Sequence, residues 1–167
     1  MQKVLVVIDM QNDFVDGALG STQAQMIVDN VRKKIESFDG PIIFTRDTHG
    51  IDYLERQEGK MLPVPHCVKN TEGWHIVPGL IEAADKPNFG SLELLSRLEG
   101  MNSVNPIESI TLVGLCTDIC VVSNAIILKA GLPEIPVYVD SSCCAGVTEE
   151  SHQAALTTMK MCQCIVE

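Results

Sequence analysis

Basic clusters, membrane-length apolar runs and leader-like segments are what this sequence lacks, and each shortage removes a class of function. Lys and Arg number 12 against 22 Asp and Glu, a formal net charge of −10, and the cations nowhere cluster. Nucleic acids and anionic membranes attract basic patches, so neither is expected as a partner. No apolar run approaches the ~20 residues that a membrane-spanning helix needs. Met1 leads directly into the apolar stretch Val4–Ile8 without a basic segment or small-residue cleavage site, so no signal peptide is expected and a cytoplasmic location is. Repeats, low-complexity tracts and linkers are also missing, so residues 1–167 read as a single domain.

What is present is enough apolar material, 46% of the chain, to build a packed core. Seven cysteines without a secretory leader read as thiols rather than a disulfide frame. Short apolar runs alternate with helical patterns. Val4–Asp9 is almost continuously apolar, as expected of a strand buried on both faces. Thr22 and Gln25 suggest a capping box before Val28, Val31, Ile35 and Phe38 at helical spacing. Pro41–Thr45 reads as a second strand, followed by a loop-like stretch, Arg46–Pro78, with three of the four histidines. A weak strand ends near Lys86, and Ser91 can cap a short helix through Leu98. Ser109–Gly114 is a strand, Thr117 a cap for the next helix, and Gly131 its end. Pro136–Asp140 and Gln163–Val166 are further strands, separated by a helix starting near Thr148. Such alternation predicts an α/β fold, a parallel sheet with helices on both faces, whose site lies beyond the carboxyl ends of the strands. Asp9, Asp47, Lys86 and Cys116–Cys120 all fall there.

Gly114–Val122, GLCTDICVV, sets a cysteine in a strand–turn–helix context. With Thr117 as cap, Cys120 occupies the third helical position, where unpaired N–H groups and the helix dipole lower a thiol's pKa and can hold an oxyanion. A lone cysteine is ordinarily a small buried core residue; this setting singles Cys120 out as a nucleophile. A thiol attacking an amide needs a base and benefits from a cation. Asp9 and Lys86 end neighbouring elements and can supply both, although alone they read as a strand-end cap and a solvated charge. Asp47-Thr48-His49 at a strand end, with His66 further on, forms an O/N/N set suited to zinc, or to iron or manganese, with positions left open. The competing reading is a polar loop with hydrogen-bonded histidines.

Asp9–Phe14 (DMQNDF), Lys86 before Phe89–Ser91, and GLCTDIC resemble, in order and across nearly the whole chain, the three motifs of nicotinamidase/isochorismatase-like cysteine hydrolases. The resemblance implies a three-layer doubly wound fold with a six-stranded parallel sheet. It casts Asp9, Lys86 and Cys120 as a catalytic triad, with Asp9 taking the thiol proton and Lys86 steadying the charges. It also implies a thioester intermediate, an oxyanion hole from the backbone N–H groups of Cys116 and Cys120, and a cis peptide between Leu115 and Cys116. Asp47, His49 and His66 match the family's metal ligands, and Glu58 matches an additional glutamate loosely. In that family the metal holds a pyridine nitrogen.

Two aromatic positions of that pattern are missing here. Thr48 stands between Asp47 and His49, and Leu62 and Pro63 precede the Pro65-His66 pair, so stacking surface for a pyridine ring is reduced. Phe14 and Trp74 are the remaining ring contacts for substrate, with packing the better role for Trp74. Cys67, Cys143, Cys144, Cys162 and Cys164 read as small packed thiols, and His75 and His152 as surface or helix residues.

The resulting expectation is an amidohydrolase releasing ammonia from a small-molecule amide, with nicotinamide first, ureido or carbamoyl compounds next, and a homo-oligomeric assembly by resemblance. Vinyl-ether hydrolysis of the isochorismatase kind is disfavoured, because such members lack the nucleophilic cysteine. The non-enzymatic alternative is a metal or thiol sensor on the same fold.

Overall fold

Val4–Ile8 lies wholly inside the molecule because its alternate side chains feed two different cores. Val4, Val6 and Ile8 pack on one face of a sheet, Leu5 and Val7 on the other. The computed structural model describes residues 1–78 and 84–167. In chain order its elements are β1 (Gln2–Ile8), the single turn α1 (Asn12–Val15), α2 (Thr22–Ser37), β2 (Ile42–Asp47), the short α3 (Gln57–Met61) and β3 (Ala84–Lys86). There follow α4 (Leu92–Val104), β4 (Ile107–Leu115), a π-helical turn (Thr117–Val121), α5 (Val122–Gly131), β5 (Val137–Ala145), α6 (Glu149–Met161) and β6 (Ile165–Val166). The strands form one six-stranded parallel sheet in the order β3-β2-β1-β4-β5-β6. Leu94 and Leu98 of α4, Ala125 and Leu128 of α5, and Leu156 and Met159 of α6 cover one face. Phe14 and Val15 of α1, Ala24, Ile27 and Val31 of α2, and the loop residues Cys67, Trp74 and Val77 cover the other. This is the expected three-layer α/β architecture. No helix among the described residues is long and apolar enough to cross a membrane.

The strand order reverses between β1 and β4, which opens a crevice beyond their carboxyl ends. Asp9 follows β1 there and Cys116 follows β4. Asp47 and Lys86 are the last residues of β2 and β3 and lie side by side in register. Four adjacent strands thus deliver the four expected positions to one end of the sheet.

Several local expectations are corrected. The cap of α2 is Ser21, whose hydroxyl accepts the Ala24 N–H, because its backbone is still extended (φ −142, ψ 157) while Thr22 is already helical. Ser91 caps α4 as expected, through the Leu94 N–H. Thr117 is not a cap: Cys116 holds that position without a side-chain bond, and Thr117 begins the π-helical turn. β5 runs to Ala145 because the register slips, so that Leu112 faces Val139 but Gly114 already faces Cys144. Cys143, Cys144 and Cys164 are buried, whereas Cys162, at the end of α6, is exposed.

Gly114 is the point where β4 comes closest to β1. Its φ is +117, and a Cβ there would collide with the Ile8 carbonyl oxygen and backbone. Gly114→Ala is therefore expected to lose ~3 kcal/mol or more, or to fail to fold. A urea midpoint within error of wild type would show that the strands can part at this point without cost.

Candidate active site

Asp9 takes a left-handed backbone conformation, φ +48, just past β1. A non-glycine residue held there costs about 1–2 kcal/mol, which the surroundings must offset. They do so through its side chain. Oδ1 accepts the Thr45 hydroxyl of β2 at 2.7 Å, and Oδ2 meets the Lys86 ammonium at 2.7 Å. The same ammonium lies 3.5 Å from the Cys120 Sγ and 3.4 Å from Asp47 Oδ1, and donates to the Asn88 carbonyl at 2.9 Å. Asp9, Lys86 and Cys120 are all buried. The expected trio therefore converges, with the lysine at its centre rather than in solvent.

Burial dominates the electrostatics. It raises the Asp9 carboxyl above its ordinary range, against the opposing pull of Lys86. Burial alone would lower Lys86, but the charges of Asp9, Cys120 and Asp47 outweigh it and hold the ammonium protonated. Burial and the neighbouring Asp9 push the Cys120 thiol well up, more than Lys86 pulls it down. This corrects the expectation of a thiol acidified by a helix N-terminus. The cysteine sits buried in a π-helical turn, and its side-chain hydrogen-bond partner is the Lys86 ammonium at 3.5 Å.

The turn that carries Cys120 closes on the Cys116 carbonyl, which accepts from the Ile119 and Val121 N–H groups at 3.1 and 3.0 Å. The Leu115–Cys116 peptide is cis, at the expected place. Asn124 of α5 ties the turn to the loop after β3: its amide donates to the carbonyls of Cys120 and Phe89, and its oxygen accepts the Ser91 N–H.

Beside the trio, Asp47, His49, Glu58 and His66 offer one ligand atom each, all within 4.8 Å of one another. His49 Nε2 stands 3.0 Å from Asp47 Oδ2 and 3.6 Å from Glu58 Oε1. His66 Nε2 stands 3.8 and 3.7 Å from the same two oxygens. The His66 Nδ1 lies 2.9 Å from the Val64 carbonyl and donates its proton there, which leaves the Nε2 lone pair facing the cluster. Two carboxylates and two imidazoles converging in a largely buried place fit a divalent cation, which would offset the like charges. These four groups could hold a divalent metal, and the loosely expected Glu58 lies among them.

Four supporting residues escaped the sequence reading. Gln11 clasps the end of β2: its amide oxygen accepts the Asp47 N–H, while its nitrogen donates to the Asp47 and Trp74 carbonyls. Asp13 accepts the Cys67 N–H at 2.7 Å, where Cys67 takes a left-handed backbone, φ +46, next to His66. Both lie within DMQNDF, so the motif itself was the available signal. The Tyr53 ring packs 4.8 Å from His49 and 5.0 Å from His66, with its hydroxyl donating to the Leu62 carbonyl. His152, expected as a surface or helix residue, lies on helix α6 but is buried there and bonded to Thr117. For neither of these did spacing carry a signal.

Of the two aromatic candidates, Phe14 is buried with its ring 5.5 Å from that of His66. Trp74 is engaged elsewhere. The Arg46 guanidinium covers one face of its indole at 3.4 Å, and the indole N–H donates to the Thr48 hydroxyl at 2.9 Å.

A doubly wound sheet thus sets a thiol, carboxylate and ammonium at its switch point, beside four converging donor groups. The chain belongs to the isochorismatase domain family, which it matches over residues 3–167. It is 28% identical to an uncharacterized isochorismatase family protein, PncA, of Bacillus subtilis (strain 168), over 94% of this chain and 93% of that one. Its fold superposes on the pyrazinamidase of Pyrococcus horikoshii in complex with zinc with a TM-score of 0.82, at 28% identity, covering 100% of this chain and 99% of that one. The nicotinamidase/pyrazinamidase PncA of Bacillus subtilis is similar, with a TM-score of 0.81, 26% identity and 99% of both chains covered.

Proposed function

We propose that this hydrolase cleaves a small-molecule amide with Cys120 as nucleophile, Asp9 as base and acid, and Lys86 as the cation that holds both. The supporting observation is the buried convergence of the three, with the ammonium 2.7 Å from Asp9 and 3.5 Å from the thiol. A dry site strengthens every interaction among them.

Asp9 takes the thiol proton as Cys120 Sγ attacks the amide carbonyl. Its raised pKa makes it a better base than an ordinary carboxylate. Lys86 offsets the negative charge as it moves from carboxylate to sulfur. The backbone N–H groups of Cys116 and Cys120 are assigned to the developing oxyanion. The C–N bond breaks, ammonia leaves with the proton from Asp9, and a thioester remains on Cys120. Asp9 then removes a proton from water, which attacks the thioester, and the sulfur recovers its proton as the acid departs.

Asp47, His49, Glu58 and His66 would hold a divalent ion, with zinc first and iron or manganese as alternatives. When bound, it supplies an anchor for a ring nitrogen or another lone pair of the substrate. Phe14, beside His66, is assigned as a wall of the substrate site. Trp74, committed to Arg46 and Thr48, is assigned as a brace behind it. Nicotinamide is the leading substrate, since the similar solved structures include a pyrazinamidase and a nicotinamidase/pyrazinamidase. A cytoplasmic location and a homo-oligomeric assembly belong to the same reading.

An ammonia-release screen over nicotinamide, pyrazinamide and carbamoyl amides, with the protein chelated and then reloaded with zinc, tests it. The expected result is turnover of a pyridine or pyrazine amide, reduced at least ~tenfold by chelation and restored by zinc. Zinc uptake without turnover of any amide would favour the sensor reading instead. Turnover indifferent to chelation would remove the anchoring role of the metal cluster.

A further inference from the structure

The nucleophile turn is held from outside by groups that take no part in the chemistry above. Thr117, its first residue, is completely buried and does not cap the helix. Its hydroxyl instead lies 2.8 Å from Nδ1 of His152, on α6. The next residue, Asp118, receives the Val147 N–H with both carboxylate oxygens at 3.2 Å. Val147 lies in the connection from β5 to α6, and His152 lies in the first turn of α6. α6 is a firm support there, since Thr148 and Ser151 form a reciprocal capping box. The backbone is also shaped for the contact. A Cβ on Gly146 would sit 2.8 Å from the His152 Cβ and 2.9 Å from its Cα, closer than side chains tolerate. Glycine at that point lets the histidine approach.

A π-helical turn carries one more residue per hydrogen-bonded loop than an α-helical turn, and its geometry is less self-sustaining. Ties to neighbouring elements help to fix where Cys120 lies relative to Lys86 and Asp9, and misplacement of a reacting atom by ~1 Å costs on the order of 100-fold in rate. We propose that His152 is a positioning residue for the nucleophile, setting the place of Cys120 through its hydrogen bond to Thr117. This rests on the reading of Cys120 as the nucleophile.

The test combines single and double variants. His152→Leu and Thr117→Val are each expected to lower kcat ~10–100-fold, with KM within ~threefold, because placement of the thiol and not substrate binding is lost. The double variant should be no worse than the poorer single one, since both remove one bond. His152→Asn keeps a polar atom on Cγ where Nδ1 stands and should recover most of the loss. His152→Gln, whose amide reaches one carbon further, should not. Thr117→Ser keeps the hydroxyl and should also recover. If His152→Leu fails to fold, the Thr117→Val and Thr117→Ser pair decides alone.

A second readout needs no substrate. Alkylation of Cys120 by iodoacetamide, followed by peptide mass spectrometry, should slow at least ~fivefold in the leucine and valine variants and recover in the asparagine and serine ones. Wild-type protein inert on every amide but showing this alkylation pattern would overturn the hydrolase reading and leave the positioning role standing. Cys120-dependent turnover with folded His152→Leu and Thr117→Val variants at wild-type kcat and alkylation rate would do the reverse. Independent, additive losses would also overturn it, as would asparagine performing no better than glutamine.

Discussion

Cys120→Ala is expected to abolish amide turnover, a loss of at least ~1,000-fold, while the protein remains folded. The substitution removes one sulfur atom from a buried side chain packed among Val121, Ala125 and the β-strand residues of its core. The stability cost of such a small deletion is ~1 kcal/mol. The chemical cost is larger because no other side chain can form the covalent bond. Among the described residues the other nearby thiol, Cys116, makes no hydrogen bond to Lys86 or Asp9, whereas the Cys120 Sγ lies 3.5 Å from the Lys86 ammonium. Asp9→Asn is expected to lose turnover to a similar degree, since the amide has the carboxylate's shape but accepts no proton. The double variant should be scarcely worse than either single one, because the two groups act as a unit. Steady-state ammonia release with matched near-ultraviolet circular dichroism checks this. Turnover by folded Cys120→Ala within tenfold of wild type would rule out the thiol as nucleophile.

Lys86→Met is expected to reduce stability as well as activity. The methionine keeps most of the aliphatic stem but removes a buried ammonium shared by Asp9, Asp47, the Cys120 thiol and the Asn88 carbonyl. Asp9 Oδ2 has no hydrogen-bond donor among the described residues apart from this ion-pair partner. Leaving one member of a buried pair without its counter-charge costs ~3–5 kcal/mol. For a domain of this size that lowers Tm by roughly 10 °C. Turnover should vanish for a separate reason. Without the cation, the Asp9 pKa rises further, so less carboxylate is available to take the thiol proton. Differential scanning calorimetry and ammonia release below the lowered Tm check the two effects. An unchanged Tm would mean that the carboxylates had found another counter-charge.

How much of this was legible in the sequence depended on whether a residue acts through the backbone pattern or through a distant partner. The strand ends were legible because burial on both faces makes β1 and β4 continuously apolar, and chemistry collects where such strands stop. Asp9, Asp47, Lys86 and Cys120 came from that rule, sharpened by the motif resemblance. The Thr117 hydroxyl was misassigned because capping is the local default for a threonine before a helix, and the competing partner, His152, lies 35 residues away. Tyr53 was missed for a similar reason: it contributes by wedging its ring against His49 and His66, which no spacing rule expresses. The direction of the Cys120 pKa was misjudged because the sequence shows a turn before a helix but not the dryness of the crevice. Trp74 drew attention as a spare aromatic, yet its indole is occupied by Arg46 and Thr48, residues on and just beyond β2.

Covalent catalysis by Cys120 is tested most directly by rapid quench of the wild-type protein with excess nicotinamide, followed by mass spectrometry of the Cys120 peptide. The account predicts that peptide carrying a nicotinoyl thioester early in the reaction, released by hydroxylamine and missing from Asp9→Asn. Ammonia production at full rate with an unmodified Cys120 peptide at every quench time, and with Cys120→Ala still active, would contradict it and point to direct attack by water.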